Sequence, residues 1–121
     1  MKFLVVDDSK LARKMTIKSL KAVFFQEFEI IEASDGKEAV EYYKQNNPEI
    51  TFMDLTMPVL NGFEATDQIT DYDEDAQIVV VSADVQEDAV KKAQECGAIG
   101  FIKKPIDPDN LKNMLTQLEL I

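Results

Sequence analysis

Five short apolar segments alternate along the chain with segments of helical spacing, and this alternation constrains the fold more than any other feature. The apolar segments cover residues 3–6, 29–33, 49–54, 77–82 and 99–103. Runs of this length suit buried strands and are too short for buried helices. Strands that alternate strictly with helices form a parallel sheet covered by helices on both faces. We expect one such domain over residues 1–121, because this length supports a single core.

The connections between the predicted strands are short, which favours a doubly wound α/β fold. A flavodoxin-like five-stranded parallel sheet of order 2-1-3-4-5, with five helices, accommodates a chain of this length. In that order strands one and three lie side by side, at the point where the winding of the chain reverses. Ligands of such sheets bind outside the carboxyl ends of the strands at this switch point. The predicted fold therefore indicates a functional site at the carboxyl ends of strands one and three.

The segments between the strands carry helix signals and apolar stripes. Ser9, the D-x-x-E motif from Asp35 and the Asp107-Pro108 pair all favour helix starts. Phe24, Phe25 and Phe28 are predicted core residues at the end of the first helix. In the first helix, the predicted buried stripe is Ala12, Met15, Ser19 and Ala22. In the fourth helix it is Val85, Ala89, Ala93 and Cys96. In the last helix it is Leu111, Met114, Leu115 and Leu118.

Polar side chains stand at the carboxyl ends of four of the five predicted strands. Asp7 and Asp8 follow the first strand, Asp54 ends the third, Ser82 ends the fourth, and Lys104 follows the fifth. Each has an ordinary alternative role, since Asp8 could favour a helix start, Ser82 a turn, and Lys104 simple solvation. Their common place at one edge of the sheet favours a joint role instead.

The three carboxylates of this edge predict a site for a hard divalent cation. Asp7, Asp8 and Asp54 would repel one another, and Mg²⁺ relieves such repulsion while it keeps several waters and binds phosphate oxygens. Ser82 offers a hydroxyl and Lys104 a positive charge, which suit the oxygens of a phosphoryl group. Asp54 is the carboxylate best placed to act as a nucleophile.

Composition excludes several other kinds of function. The chain has no histidine and one cysteine, Cys96, so histidine zinc sites, Ser-His-Asp triads, internal disulfides and cysteine metal clusters are all excluded. A formal net charge of -10 makes nucleic acid and anionic membranes poor partners. The first apolar run is too short for a signal peptide or a membrane span, and we expect a cytoplasmic protein.

Taken together, the motifs resemble those of the response-regulator receiver domain of two-component systems. They are VVDDS after strand one, FMDLTMPVLNG after strand three, VVVSA after strand four and FIKKP after strand five. The resemblance covers the whole chain and implies that residues 1–121 form one receiver domain. It also implies a signalling protein and not an enzyme, one that assists only its own phosphorylation and dephosphorylation.

The resemblance assigns expected roles to the polar residues. Asp54 would accept a phosphoryl group from a histidine kinase, and Ser82 and Lys104 would contact the phosphoryl oxygens. A cis peptide bond is expected between Lys104 and Pro105. The implied ligands of Mg²⁺ are Asp7, Asp8, Asp54 and the backbone carbonyl of Thr56.

The resemblance further implies a conformational switch. Phosphorylation would draw Ser82 and Lys104 toward Asp54, Phe101 on strand five would turn inward, and the face of helix four, strand five and helix five would change for partners. Ser82 stands where threonine is common in the family, and Phe101 stands where many chemotaxis-type members have tyrosine. Thr56 and Asp84 match positions that tune the dephosphorylation rate.

The expected output is a separate protein, such as a component of the flagellar motor switch, because the last predicted helix ends near Ile121. A single-domain phosphorelay intermediate and a phosphate sink are alternatives. A Mg²⁺-dependent phosphatase with an aspartyl-phosphate intermediate is less favoured, since it needs a substrate pocket and usually a cap. An adaptor with a degenerate site conflicts with the complete set of polar residues, and a flavin-binding module lacks a phosphate-cradling loop after strand one.

Overall fold

The structure is a computed structural model that describes all 121 residues, and it has the predicted alternation of strands and helices. The strands are β1 (Lys2–Val6), β2 (Glu29–Ala33), β3 (Ile50–Met53), β4 (Ile78–Ser82) and β5 (Gly100–Lys103). The helices are α1 (Lys10–Val23), α2 (Gly36–Asn46), α3 (Gly62–Tyr72), α4 (Glu87–Glu95) and α5 (Pro108–Gln117). No helix combines the length and the apolar character that a membrane crossing requires.

The five strands form one parallel sheet of order β2-β1-β3-β4-β5, which confirms the predicted fold. β1 and β3 are neighbours, with Val5 opposite Phe52 and Val6 opposite Met53. The loops after β1 and β3 therefore emerge side by side at the carboxyl edge of the sheet. This placement brings the two acidic segments of the sequence together.

Side-chain caps begin four of the five helices, as the amino acids at those positions favour. Ser9 accepts a hydrogen bond from the N–H of Ala12 at 3.2 Å, and Asp35 accepts one from Glu38 at 2.8 Å. Asp107 and Asn110 form a reciprocal capping box around Pro108 at the start of α5. These local signals define the helix starts that the sequence predicted.

Two apolar layers cover the faces of the sheet. Under α1 and α5, Phe3 stacks edge-on against Phe24 at 5.2 Å between ring centroids, and Leu111 and Leu115 are fully buried. Under α2 and α3, Leu4 and Ile69 belong to the second layer. The predicted stripe of α5 is thereby confirmed. β1 and β3 are packed between the two layers, so the loops that follow these strands begin at well-fixed positions.

Four of the predicted buried positions lie at the surface. On α1, Met15 is 40% exposed and Ala22 is also exposed, and the helix instead turns Leu20 into the core. Phe25 is 88% exposed because the chain has left α1 by this residue, whereas Phe24 is buried and Phe28 packs edge-on against Phe3 at 5.4 Å between ring centroids. Val85 is 42% exposed because α4 begins two residues later, at Glu87.

Candidate functional site

The site begins with Asp7, whose polar atoms all have partners within the protein. Its N–H donates to the carbonyl of Ala33 at 3.1 Å, which extends the β1–β2 ladder by one residue. Its Oδ1 accepts the N–H of Ser9 at 2.9 Å, and its Oδ2 accepts from Lys104 Nζ at 2.8 Å. Its carbonyl accepts from Arg13 Nη1 at 2.6 Å. Asp7 is therefore fixed in place, whereas the neighbouring Asp8 is exposed.

Asp54 stands one residue beyond β3 and is buried, with 7% of its surface exposed. Its N–H donates to the carbonyl of Val6 at 3.0 Å, so the backbone of β1 positions it directly. Its Oδ1 accepts a hydrogen bond from Lys104 Nζ at 3.2 Å. A single ammonium group thus bridges the two buried carboxylates of the site, Asp7 and Asp54.

The loop after Asp54 is held by short backbone contacts. The N–H of Gly62 donates to the carbonyl of Leu55 at 2.9 Å, and a Cβ on Gly62 would clash with the carbonyl oxygen of Asp54. Only glycine allows α3 to approach the backbone of Asp54 this closely. Val59 has a φ of 68°, which is an unfavourable conformation for a β-branched residue.

Three carboxylates of the site have the arrangement of a cation site. One oxygen each from Asp7, Asp8 and Asp54 lies within 4.8 Å of the others. Mg²⁺ prefers such hard oxygen ligands, each about 2.1 Å from the metal, and it keeps several waters as further ligands. Thr56, the predicted carbonyl ligand, is exposed in the loop two residues after Asp54. The residues present therefore fit Mg²⁺.

The charges of the site perturb one another. Burial raises the pKa of Asp54 above its usual value, the negative charge of Asp7 raises it further, and Lys104 offsets part of this rise. Burial by itself would lower the pKa of Lys104, but the hydrogen bond to Asp7 and the charge of Asp54 hold it above its usual value. Lys104 therefore remains an ammonium group across the physiological range of pH.

Ser82 and Lys104 lie beside each other at the ends of β4 and β5. The N–H of Lys104 donates to the carbonyl of Ser82 at 2.9 Å, and the peptide bond from Lys104 to Pro105 is cis, as expected. The Ser82 hydroxyl is buried and accepts the N–H of Asp84 at 3.1 Å. In this state the hydroxyl holds the β4–α4 loop and makes no hydrogen bond to Asp54.

Phe101 lies on β5 opposite Val80 of β4. It is half-buried and packs against a small apolar cluster beneath α4. The buried members of this cluster are Leu55, Val80, Ala93 and Ala98. Because Leu55 directly follows Asp54, the loop after Asp54 and Phe101 pack against the same apolar cluster.

Two residues of this region carry no motif and were missed in the sequence. Arg13 contacts the backbone of Asp7 through its side chain from the second turn of α1, and helical periodicity marks it only as polar. Val59 adopts a left-handed conformation in the loop between β3 and α3. A bulky residue directly after a proline gives no signal for a positive φ.

The chain is similar to known proteins over most of its length. The sequence matches the response regulator receiver domain family over residues 3–116. It is 38% identical to the chemotaxis protein CheY of Halobacterium salinarum over 95% of this chain and 93% of that protein. It is 39% identical to CheY of Thermotoga maritima over 95% of this chain and 94% of that protein.

The fold is also similar to solved structures. A CheX-CheY-BeF3-Mg²⁺ complex from Borrelia burgdorferi includes a chain that matches with a TM-score of 0.88 and 33% identity. The match covers 98% of this chain and 89% of that one. Sequence motifs, sheet order and these matches lead to the same conclusion. The chain belongs to the response regulator receiver domain family and is a CheY-like member of it.

Proposed function

We propose that this chain is a stand-alone response regulator, in which Asp54 accepts a phosphoryl group from a histidine kinase and the phosphorylated form binds an output protein. The observation that carries the proposal is the juxtaposition of Asp54, Asp7 and Asp8 within 4.8 Å, with Lys104 bridging Asp7 and Asp54. A buried carboxylate beside a cation site and a fixed ammonium group suits attack on phosphorus.

In the proposed step, a carboxylate oxygen of Asp54 attacks the phosphorus of the kinase's phosphohistidine. A P–O bond forms while the P–N bond breaks, and the leaving imidazole takes up a proton from solvent. The product is an acyl phosphate on Asp54, and no oxidation or reduction occurs. Phosphoryl transfer depends mainly on positioning and charge stabilisation, so the protein needs no further nucleophile or base.

Asp7, Asp8, Asp54 and the carbonyl of Thr56 would hold Mg²⁺. When bound, this ion supplies positive charge that offsets the charge of the carboxylates and of the phosphoryl oxygens. Lys104 lies 3.2 Å from Asp54 Oδ1 and would pair with a phosphoryl oxygen after transfer. Its raised pKa keeps it charged for this role.

The proposed switch starts at Ser82. To reach a phosphoryl group on Asp54, the Ser82 hydroxyl would lose the hydrogen bond that it accepts from the N–H of Asp84. The Asp84 side chain is itself tied to the loop, because its Oδ1 accepts the N–H of Gln86 at 3.0 Å. The β4–α4 loop would move with it, and Phe101 would follow into the space beneath α4. The face of α4, β5 and α5 would then differ between the two states for a partner.

Similarity to CheY proteins over most of their length supports a role in chemotaxis, with a component of the flagellar motor switch as the output partner. A phosphorelay intermediate or a phosphate sink would use the same chemistry at Asp54. Partner binding separates these roles, because only an output regulator gains a partner when phosphorylated. We propose that the protein acts in the cytoplasm, where kinase and motor switch are accessible.

Phosphotransfer from a purified, radiolabelled chemotaxis histidine kinase tests the proposal. The radiolabelled phosphoryl group should move from the kinase to this protein and not to Asp54→Asn. The phosphorylated protein should then bind the motor-switch partner more tightly than the unphosphorylated protein does. Transfer to Asp54→Asn would refute the assignment of the acceptor. Sustained turnover of a small phosphoester would favour the phosphatase alternative.

A further inference from the structure

We propose that Arg13 is a positioning residue for the acidic pair and that its guanidinium group sets the affinity of the site for Mg²⁺. This inference rests on the proposed function, since it concerns the metal that supports phosphorylation of Asp54. Arg13 is not a metal ligand and would not touch the phosphoryl group. It acts through the backbone between Asp7 and Asp8.

The Arg13 side chain ties together three parts of the fold. From α1, its Nη1 donates to the carbonyl of Asp7 at 2.6 Å, and its Nε pairs with Oε1 of Glu32 on β2 at 2.9 Å. The Arg13 side chain is only 15% exposed, so its contact with the Asp7 carbonyl is partly shielded from solvent, whereas the Glu32 side chain is 45% exposed. A hydrogen bond between a charged group and a carbonyl is about twice as strong as one between neutral groups.

The contact with the carbonyl of Asp7 matters because this carbonyl belongs to the peptide unit that joins Asp7 to Asp8. Rotation of that planar unit would redirect Asp8, whose exposed carboxylate has no hydrogen-bond partner of its own. The Asp7 carboxylate is already fixed by Ser9 and Lys104. Arg13 therefore supplies the restraint that holds the free carboxylate within 4.8 Å of the other two.

Positioning and simple electrostatics predict opposite effects of removing Arg13. A nearby positive charge repels a divalent cation, so its loss should tighten Mg²⁺ binding if charge alone mattered. If Arg13 orients the ligands, its loss should weaken binding. Groups that orient metal ligands without touching the metal typically change affinity by roughly 10-fold or more.

Isothermal titration of the full chain with MgCl2 tests this inference with two variants and one control. Arg13→Ala removes both contacts, and we expect roughly 10-fold weaker Mg²⁺ binding. Arg13→Lys keeps the charge but lacks the planar fork that reaches two acceptors, and we expect several-fold weaker binding. Lys14→Ala removes an exposed cation from the same helix and should leave the affinity unchanged or slightly tighter.

Phosphorylation by acetyl phosphate provides a second readout. For Arg13→Ala, the Mg²⁺ concentration that gives half the maximal rate should rise in step with the dissociation constant, while the rate at saturating Mg²⁺ should recover. Unchanged or tighter Mg²⁺ binding by both Arg13 variants, with native circular dichroism, would overturn the inference. Absence of phosphorylation in the unsubstituted protein would instead refute the proposed function, and the Mg²⁺ titrations would still decide the role of Arg13.

Discussion

Replacement of Asp54 by asparagine should stabilise the fold while it removes the proposed phosphorylation site. Asparagine has the shape of aspartate without its charge, so the change isolates the electrostatic cost of placing Asp54 beside two other carboxylates. The raised pKa of Asp54, caused first by burial and then by Asp7, indicates that the folded protein disfavours the charged form.

The magnitude follows from the distances within the site. At an effective dielectric constant of about 20, two unit charges about 5 Å apart repel by about 3.5 kcal/mol, which is the scale of the repulsion from the buried Asp7, while the exposed Asp8 is screened by solvent and adds less. Lys104, at 3.2 Å, attracts Asp54 by about 5 kcal/mol on the same basis. Lys104 therefore offsets the repulsion from Asp7, and burial, which is the largest cause of the raised pKa, costs several kcal/mol per ion and leaves a balance of about 2 kcal/mol against the charged carboxylate.

Urea denaturation at pH 7 without Mg²⁺ measures this effect. With a slope of about 2 kcal/mol per molar urea, Asp54→Asn should raise the midpoint by about 1 M. Asp71→Asn removes an exposed carboxylate from α3 and should change the free energy of unfolding by less than about 0.5 kcal/mol.

The gain should depend on pH in a defined direction. A neutral Asp54 favours the folded state, and this contribution is lost as the pH rises through the raised folded pKa. The difference between Asp54→Asn and the unsubstituted protein should therefore shrink as the pH falls toward the ordinary value of 3.8. A variant that is equally or less stable at pH 7 would refute the account of charge repulsion.

Three further substitutions test separate parts of the structure. Lys104→Ala should accept phosphate slowly yet fail to bind the output partner more tightly, as measured by titration of the phosphorylated variant; normal enhancement would contradict the switch. Gly62→Ala should destabilise the fold by about 3 kcal/mol in thermal unfolding, because the new Cβ would meet the backbone of Asp54 and Leu55. Val59→Asn should stabilise the fold by about 1 kcal/mol in the same assay, because asparagine tolerates a positive φ, and a loss of stability would show that the loop is not strained.

The sheet order and the acidic site could be predicted because both depend on local signals. Short apolar runs, caps and turn residues define each element, and the rules for parallel sheets then bring the ends of β1 and β3 together. Asp7, Asp8 and Asp54 meet as a consequence of that topology. Lys104 reaches them from β5, as its position after the fifth strand indicated.

The orientation of individual helices was less predictable, because it depends on docking against the sheet. Along α1 the polar Thr16 and Ser19 are buried beside Leu20, while Met15 faces solvent. Spacing alone cannot choose between such faces when small, polar and apolar residues are mixed. The role of Arg13 could not be predicted from the sequence either, because its two partners, Asp7 and Glu32, come from other elements of the fold.

Intact-protein mass spectrometry after incubation with acetyl phosphate measures whether Asp54 accepts a phosphoryl group in the presence of Mg²⁺. Samples of the unsubstituted protein with and without Mg²⁺, together with Asp54→Asn with Mg²⁺, would be compared. We expect one phosphoryl adduct on the unsubstituted protein, dependent on Mg²⁺, and none on Asp54→Asn. An adduct on Asp54→Asn, or no adduct on a folded unsubstituted protein with Mg²⁺, would show that Asp54 is not the site of a Mg²⁺-dependent phosphorylation.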